Sequence, residues 1–420
     1  MPKLVRLLPL SLLVHIPTAK SFTLTNWANN RVAEAGIELS LGTPSQFVYL
    51  APSVNDDEIF VVGPDACTPT CLTRNGAQFN TSISSTWRPT ANVTIGNAGA
   101  FDWWNGSQVE FTLGYEQGQF VDAPENTNFS NLGIKIAVLN EYSPDDSVPT
   151  PNTLGLGSNS TFLNSLVRNG VIESRSFGLY EKNVDIGPFN ESRIVGKRYS
   201  SPIVQNTGYL GGLQVTVTDM TINGKSLMNR TSGPFNATLG LSTGRASYVP
   251  QVVAEDFYNV TNADAPTNWS TYDEPVWNQA RSSALEPFIM VVKLSNGATL
   301  NVPSSLLRVP IWEGNDTGLY YISQGEYYTY GSGAQPLYKR SNMVGIDLLD
   351  AEVKADNPGV EALLGMDFVS YRTYLYVDWD KQEFELAELK DIYSSAGVVQ
   401  ISWRTTWAVV FLSVVMIVMF

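Results

Sequence analysis

Short runs of apolar, β-favouring residues, broken at close intervals by Gly, Pro, Asn and Ser, occupy most of this chain. Phe47 to Leu50, Leu213 to Thr221, Phe288 to Leu294 and Tyr374 to Val377 are rich in Val, Tyr, Thr and Leu and read as strands. Helical signals are few. Thr161 to Asn169 opens after a capping candidate, Ser160, and ends before Gly170. Pro250 to Asn259 starts on proline and carries Glu255 and Asp256. The pattern predicts an all-β body with a few short helices.

The two halves echo each other. Each begins with an apolar-flanked turn, at 50–61 and at 239–249, and each later carries a Leu-Gly motif, Thr153-Leu154-Gly155-Leu156-Gly157 and Leu363-Leu364-Gly365. This is a loose two-part repeat rather than a solenoid period. A chain of 420 residues can form two lobes of about 150–200 residues each. A polar, Gly-rich stretch over Ile194–Leu213 marks the boundary. The expected division is 1–21 leader, 22–200 N-terminal β lobe, 201–393 C-terminal β lobe and 394–420 C-terminal signal and tail.

Composition narrows the chemistry. A formal charge of −14 argues against a nucleic-acid partner, which would want a basic face. It suits a protein working in acid, where protonated carboxylates repel less, and equally suits simple solubility. The single histidine, His15, lies in the leader, so the mature chain would have none. Ser-His-Asp and Cys-His catalysis and His-based metal sites are thereby excluded. Carboxylates, Lys and Tyr remain as acid/base candidates. No cofactor and no metal is expected, and the protein is expected to be a monomer.

Both ends and the sequons point to the secretory pathway. Lys3 and Arg6 precede an apolar core from Leu7 to Ile16, with small residues Ala19 and Ser21 after it, as in a signal peptide. Ser394-Ser395-Ala396-Gly397, a spacer, and the apolar run Trp407 to Phe420 have the layout of a GPI-attachment signal, with Ser395 the candidate site. The rival is a terminal membrane helix from about Val398, which would contain Arg404. Asn-x-Ser/Thr occurs at Asn80, Asn92, Asn105, Asn128, Asn159, Asn190, Asn229, Asn236, Asn259, Asn268 and Asn315, candidate glycosylation sites on a broadly exposed exterior. The only cysteines are Cys67 and Cys71. An oxidising compartment predicts a disulfide closing this small loop, and metal binding would need more ligands.

Five pieces in order carry a resemblance: Gly42-Thr43-Pro44-Ser45-Gln46; Cys67 with Cys71; Thr153 to Tyr180; Leu213 to Leu227; and Leu363 to Leu389, with Leu-Leu-Gly-Met-Asp-Phe and Tyr-Leu-Tyr-Val-Asp inside it. Over residues 36–390 the chain resembles the pepsin-like aspartic proteases, most closely the fungal, secreted, GPI-anchored members. The resemblance implies two β lobes around a long cleft for an extended peptide, a small disulfide loop at Cys67–Cys71, and a hairpin flap carrying a tyrosine, for which Tyr115 is the candidate.

The family's two Asp-Thr-Gly triads are altered. Counted without a gap from the hairpin, the first reads Ser53-Val54-Asn55, and the second reads Ser242-Thr243-Gly244. Active relatives hold two carboxylates that share one proton, one acting as base and the other as acid. A serine hydroxyl does neither, and each lost acid/base group costs about 10²–10⁴-fold in rate. Nucleophilic serine would need an activating base, and none is near in sequence. Asp56, Asp57 and Glu58 lie just past Ser53, so a displaced dyad built on Asp56 or Asp57 is the alternative. Arg245 stands where the family has a small Ser or Thr, and a cationic cleft floor favouring carboxylate ligands competes with a plain structural pairing. Trp103-Trp104 and the tyrosines from Tyr320 to Tyr330 fit hairpin packing as well as ligand contact.

The expectation is a pseudopeptidase at the cell surface or wall, binding an extended peptide or protein segment or acting as an inhibitor-like module. An active aspartic endopeptidase and a purely structural wall glycoprotein are the competing readings.

Overall fold

A computed structural model describes residues 21–28, 35–64, 66, 78–95, 109–122, 133–141, 152–181, 183–204, 212–240, 247–261, 276–278, 288–304, 306–314, 319–321, 338–346, 348–350, 362–365, 368–369 and 371–390. The expected leader up to residue 20 and the C-terminal segment from residue 391, Ser395 included, lie outside these residues. So do Cys67, Cys71, Trp103, Trp104, Ser242, Arg245, Asn105, Asn128, Asn268, Asn315 and Tyr327 to Tyr330. The described chain is all-β in character, with two α-helices and a short 3₁₀ turn among its strands.

An eight-stranded sheet is built from the first part of the chain. Its order is β2 (Asn26–Ala28), β3 (Ala35–Leu41), β4 (Gln46–Ser53), β9 (Thr153–Gly155), β5 (Ile59–Val62), β8 (Gly133–Glu141), β7 (Val109–Phe120) and β6 (Arg88–Ile95). β3 and β4 form the hairpin expected around Gly42-Thr43-Pro44. Alternate residues of these strands enter one core. Ile37, Leu39, Leu41, Val48, Leu50, Ile134, Ile136 and Val138 are all buried in it, so the pleat sets their inward face.

The topology of this sheet contains a crossing. β4 runs parallel to β9, β9 meets β5 antiparallel at Phe60↔Thr153, and β5 runs parallel to β8. The same sequence of pairings recurs later in the chain. β15 (Phe235–Gly240) runs parallel to β24 (Ala362–Gly365), β24 meets β16 (Ser247–Val249) antiparallel at Tyr248↔Leu363, and β16 runs parallel to β23 (Leu348–Asp350). The repeat read from the two Leu-Gly motifs is thus present in the topology. β13 (Gln214–Ile222), β18 (Ile289–Leu294), β19 (Thr299–Pro303) and the two-residue β14 (Lys225–Ser226) complete this second sheet. A further four-stranded sheet has the order β17 (Val276–Asn278), β22 (Tyr338–Ile346), β20 (Arg308–Gly314), β21 (Leu319–Tyr321).

A six-stranded sheet draws on both halves: β1 (Phe22–Leu24), β11 (Asn183–Ile186), β10 (Ser176–Tyr180), β25 (Thr373–Asp378), β26 (Glu383–Leu389) and β12 (Ile194–Pro202). The boundary expected at 200/201 therefore falls inside β12. Every residue of β25 is buried. Leu375 and Val377 join the main core, while Tyr374 and Tyr376 pack with Tyr180, Leu389 and Phe189 on the other face. Gly178 permits this arrangement, because a Cβ there would collide with the Tyr374 ring and hydroxyl.

On that aromatic face lies Asp185, 2% exposed. Its carboxylate accepts hydrogen bonds from Thr23 Oγ1 (2.5 Å), Asn190 Nδ2 (3.2 Å), Arg193 Nε (3.3 Å), Tyr374 OH (3.3 Å) and Tyr180 OH (3.4 Å). A buried carboxylate is tolerable only when it is paired and saturated with donors, and this one is both. Burial, followed by the charge of Asp185, pushes the Tyr180 phenol up to about 12. The same two causes move Tyr374 upward.

Both expected helices form. α1 (Thr161–Arg168) is capped by Ser160, whose Oγ accepts from Leu163 N at 3.2 Å. It buries Phe162, Leu163 and Leu166, with Phe162 5.3 Å from Phe120. α2 (Gln251–Thr261) follows Pro250 and buries Val253, Ala254 and Phe257.

The tyrosine shifts carry a prediction. Both phenols are raised above their ordinary value of 10.0, so the stability they confer is complete below about pH 10 and is lost as pH rises through the folded-state values. Urea unfolding followed from about pH 9 to about pH 11 should show stability falling more gently with pH in Tyr374→Phe than in the parent, by up to one proton in the linkage slope. Identical slopes would contradict the burial assigned to Tyr374.

Candidate functional site at the first strand crossing

Ser53 is the last residue of β4 and sits opposite Gly155 in the parallel pair with β9. It is 1% exposed, and its Oγ has no hydrogen-bond partner among the described residues. Its carbonyl accepts from Leu156 N at 2.7 Å, so the backbone there is tied into the crossing. Asn152 splints the crossing from the other side: its carbonyl accepts from Ala51 N and its Oδ1 accepts from Val62 N, both at 2.8 Å.

The Leu-Gly-Leu-Gly motif is explained by the path of residues 56–58. A Cβ at Gly155 would run into the Glu58 carbonyl and lie 2.7 Å from Glu58 N and 2.8 Å from Asp56 O. A Cβ at Gly157 would meet the Asp57 carboxylate and lie 2.9 Å from Asp56 O. Only glycine lets the loop cross so closely over the strand.

The acids that follow Ser53 are committed to holding this loop. Asp57 Oδ1 accepts from Asn159 N at 2.9 Å, and its carbonyl accepts from Thr161 N at 2.8 Å. Glu58 accepts from Thr161 Oγ1 at 2.5 Å and pairs with Lys135. Both side chains therefore face the start of α1, where the positive end of the helix dipole favours them. Asp56 is buried, and its carbonyl accepts from Gly157 N at 2.8 Å. The sequence shows the three acids in a row but not that two of them serve the helix.

The second crossing is closely related in form but not in register at the candidate position. Gly240, not a serine, stands opposite Gly365, and Ser242 comes two residues later, outside the described residues with Arg245. Ser247 Oγ accepts from Gly365 N at 2.9 Å and fixes that glycine. Two further buried hydroxyls, Thr153 Oγ1 and Thr238 Oγ1, have no hydrogen-bond partner among the described residues. Paired positions in a parallel ladder point to one face, so Ser53 and Thr153 share a face of the first crossing, and Thr238 takes the corresponding face of the second. Sequence reasoning missed both threonines. Thr153 heads the Leu-Gly-Leu-Gly motif, but nothing in its neighbours reveals burial.

Tyr115 is 46% exposed on β7, opposite Arg88 of β6 and Lys135 of β8. It lies at the base of the β6–β7 hairpin, at the end away from residues 96–108, which connect the two strands. Its row continues through Lys135 to Glu58, and so to the loop after Ser53.

The six-stranded sheet is fastened to this site. Trp379 Nε1 donates to Leu156 O at 2.8 Å, and Arg175 donates to Ser158 O at 2.6 Å while pairing with Asp380. Burial raises the Asp380 carboxyl, but hydrogen bonds from the Arg175 amide and guanidinium outweigh it and hold the group below its usual value.

Among the sequons, Asn92, Asn159, Asn229, Asn236 and Asn259 are exposed, and Asn80 and Asn190 are half-buried. Among the described residues no cluster of three His, Cys, Asp or Glu side chains could hold a metal ion. No described helix is long and apolar enough to cross a membrane. No protein-family model matches the chain, and no curated protein matches it either.

The close crossing generates a prediction. Gly155→Ala should destabilise the protein by about 1–3 kcal/mol, the usual cost of forcing extra volume into a packed site. Gly133→Ala, whose Cβ would meet only Tyr115 Cδ1 at 3.7 Å, should be nearly neutral. Chemical denaturation of the two variants side by side checks the difference.

Proposed function

We propose that this chain is a pepsin-like, two-lobed protein of the secretory pathway, GPI-anchored at the cell surface, that binds an extended peptide or protein segment in its interlobe cleft without cleaving it. The observation that carries this reading is the crossing that occurs twice, parallel, antiparallel, parallel, with Ser53 at the end of the first incoming strand. A six-stranded sheet shared by both halves supports the two-lobe arrangement.

The missing reactivity has a physical basis. A shared-proton dyad needs two carboxylates facing each other. Ser53 offers a hydroxyl instead, and the carboxylate of Asp57 is engaged by the amide of Asn159. A buried hydroxyl without a partner among the described residues suits a position whose original occupant was matched to a different set of neighbours. The scaffold would still present a groove lined by backbone donors and acceptors, which is what an extended peptide needs.

The test is peptidase activity of the purified secreted protein against a diverse peptide library from acid to neutral pH, with and without a statine-type inhibitor. No inhibitable cleavage is expected, together with retention of a subset of peptides in a binding screen of the same library. Inhibitable cleavage that disappears in Asp56→Asn would establish an endopeptidase instead. Absence of both cleavage and binding would favour a structural wall glycoprotein.

A further inference from the structure

Two long strands lie at open sheet edges among the described residues, and they are protected differently. β12 ends the six-stranded sheet and β6 ends the first eight-stranded sheet. An unpaired edge is a template for strand addition by another chain, and proteins blunt it with bulges, charges or proline. β12 has all three: a register shift between Val195 and Arg198, the cations Lys197 and Arg198, and a terminal Pro202. β6 has Arg88, Pro89 and a register shift only at its start. From Ala91 to Ile95 it reads Ala-Asn-Val-Thr-Ile, uncharged, β-favouring and regularly paired with β7. Ala91, Asn92 and Thr94 are exposed there. Neutral runs of this kind are aggregation hazards unless a gatekeeper interrupts them.

The only bulky protection the sequence can supply in that run is at Asn92-Val93-Thr94, a sequon. Thr112 Oγ1 donates to Asn92 Oδ1 at 3.1 Å across the strand pair. That bond fixes the carboxamide by its oxygen, and Asn92 Nδ2 makes no hydrogen bond among the described residues. Asn190 is the contrast: its Nδ2 is committed to the buried Asp185.

We infer that an N-linked glycan on Asn92 guards the open edge of β6 against pairing with a second copy of this chain. The inference rests on the secretory reading proposed above. In the modification, Nδ2 gains a bond to the anomeric carbon of an oligosaccharide carried on a lipid diphosphate. The bond from that carbon to the diphosphate oxygen breaks, and the amide proton passes to a base of the transferase. A polar, branched sugar rooted at the middle of the neutral run would keep an incoming strand from reaching the edge amides and carbonyls that face no other strand among the described residues.

The experiment uses the full chain secreted from eukaryotic cells, with glycopeptide mass spectrometry and sedimentation velocity. The wild type should carry sugar at Asn92 and sediment as a monomer. Thr94→Ala, which removes the sequon while leaving Asn92, should self-associate at concentrations at which the wild type does not. Thr94→Lys, which removes the same sequon but places a charge on the edge, should stay monomeric. Asn259→Gln, which removes an exposed sequon on α2, should also stay monomeric. A monomeric Thr94→Ala, or an Asn92 without sugar while Asn159 or Asn259 carries it, overturns the inference and leaves the secretory reading standing. Sugar at no sequon overturns both.

Discussion

The buried carboxylate of Asp185 is the interaction on which the joining of the two halves depends. Its donors come from β1, β10, the turn after β11 and β25, and the bond to Tyr374 spans 189 positions of sequence. A carboxylate 2% exposed has no water to fall back on, so each donor is held in place by the cost of leaving it unpaired. Arg193 supplies the countercharge and also stacks over the Tyr180 ring at 4.6 Å. With these strands fixed, Trp379 and Arg175 reach from the same sheet to Leu156 and Ser158, directly behind the first crossing. The geometry at Ser53 is thereby tied to the six-stranded sheet rather than to its own loop alone.

At the crossing itself, steric demand and charge act together. Gly155 and Gly157 open a channel for residues 56–58, and the acids of that loop then fasten it to the start of α1 and to Lys135. Asp57 and Glu58 act as structural anchors of this loop. Ser53, at the strand end, has a buried hydroxyl with no hydrogen-bond partner among the described residues. The backbone bonds of the crossing do not involve the side chain at position 53.

Much of the architecture was legible in the chain. Both helices sit where capping and proline signals place them, and the strands read at 47–50, 213–221, 288–294 and 374–377 all lie within or beside observed strands. The two Leu-Gly motifs do mark equivalent crossings. These signals are local: a side-chain oxygen that caps a helix, a glycine that admits a close backbone, a run of β-favouring residues. Tyr115 shows the limit. Its place at the base of the β6–β7 hairpin, beside Arg88 and Lys135, comes from strand register, which its neighbours in sequence do not reveal.

The sequence by itself determined the strand-rich class, the helix positions, the repeat of the Leu-Gly motif, the serines at positions 53 and 242 and the sequons. These depend on residue type and short spacing. Tertiary structure alone decided which carboxylates are committed, which sequon has its amide nitrogen engaged and, among the described residues, which hydroxyls are buried without partners and which strand ends a sheet with no strand beside it. Those properties arise from contacts between positions far apart in the chain, such as Thr23 with Asp185 and Trp379 with Leu156. Burial and pairing set the cost of every polar group, and they exist only once the distant partners have met.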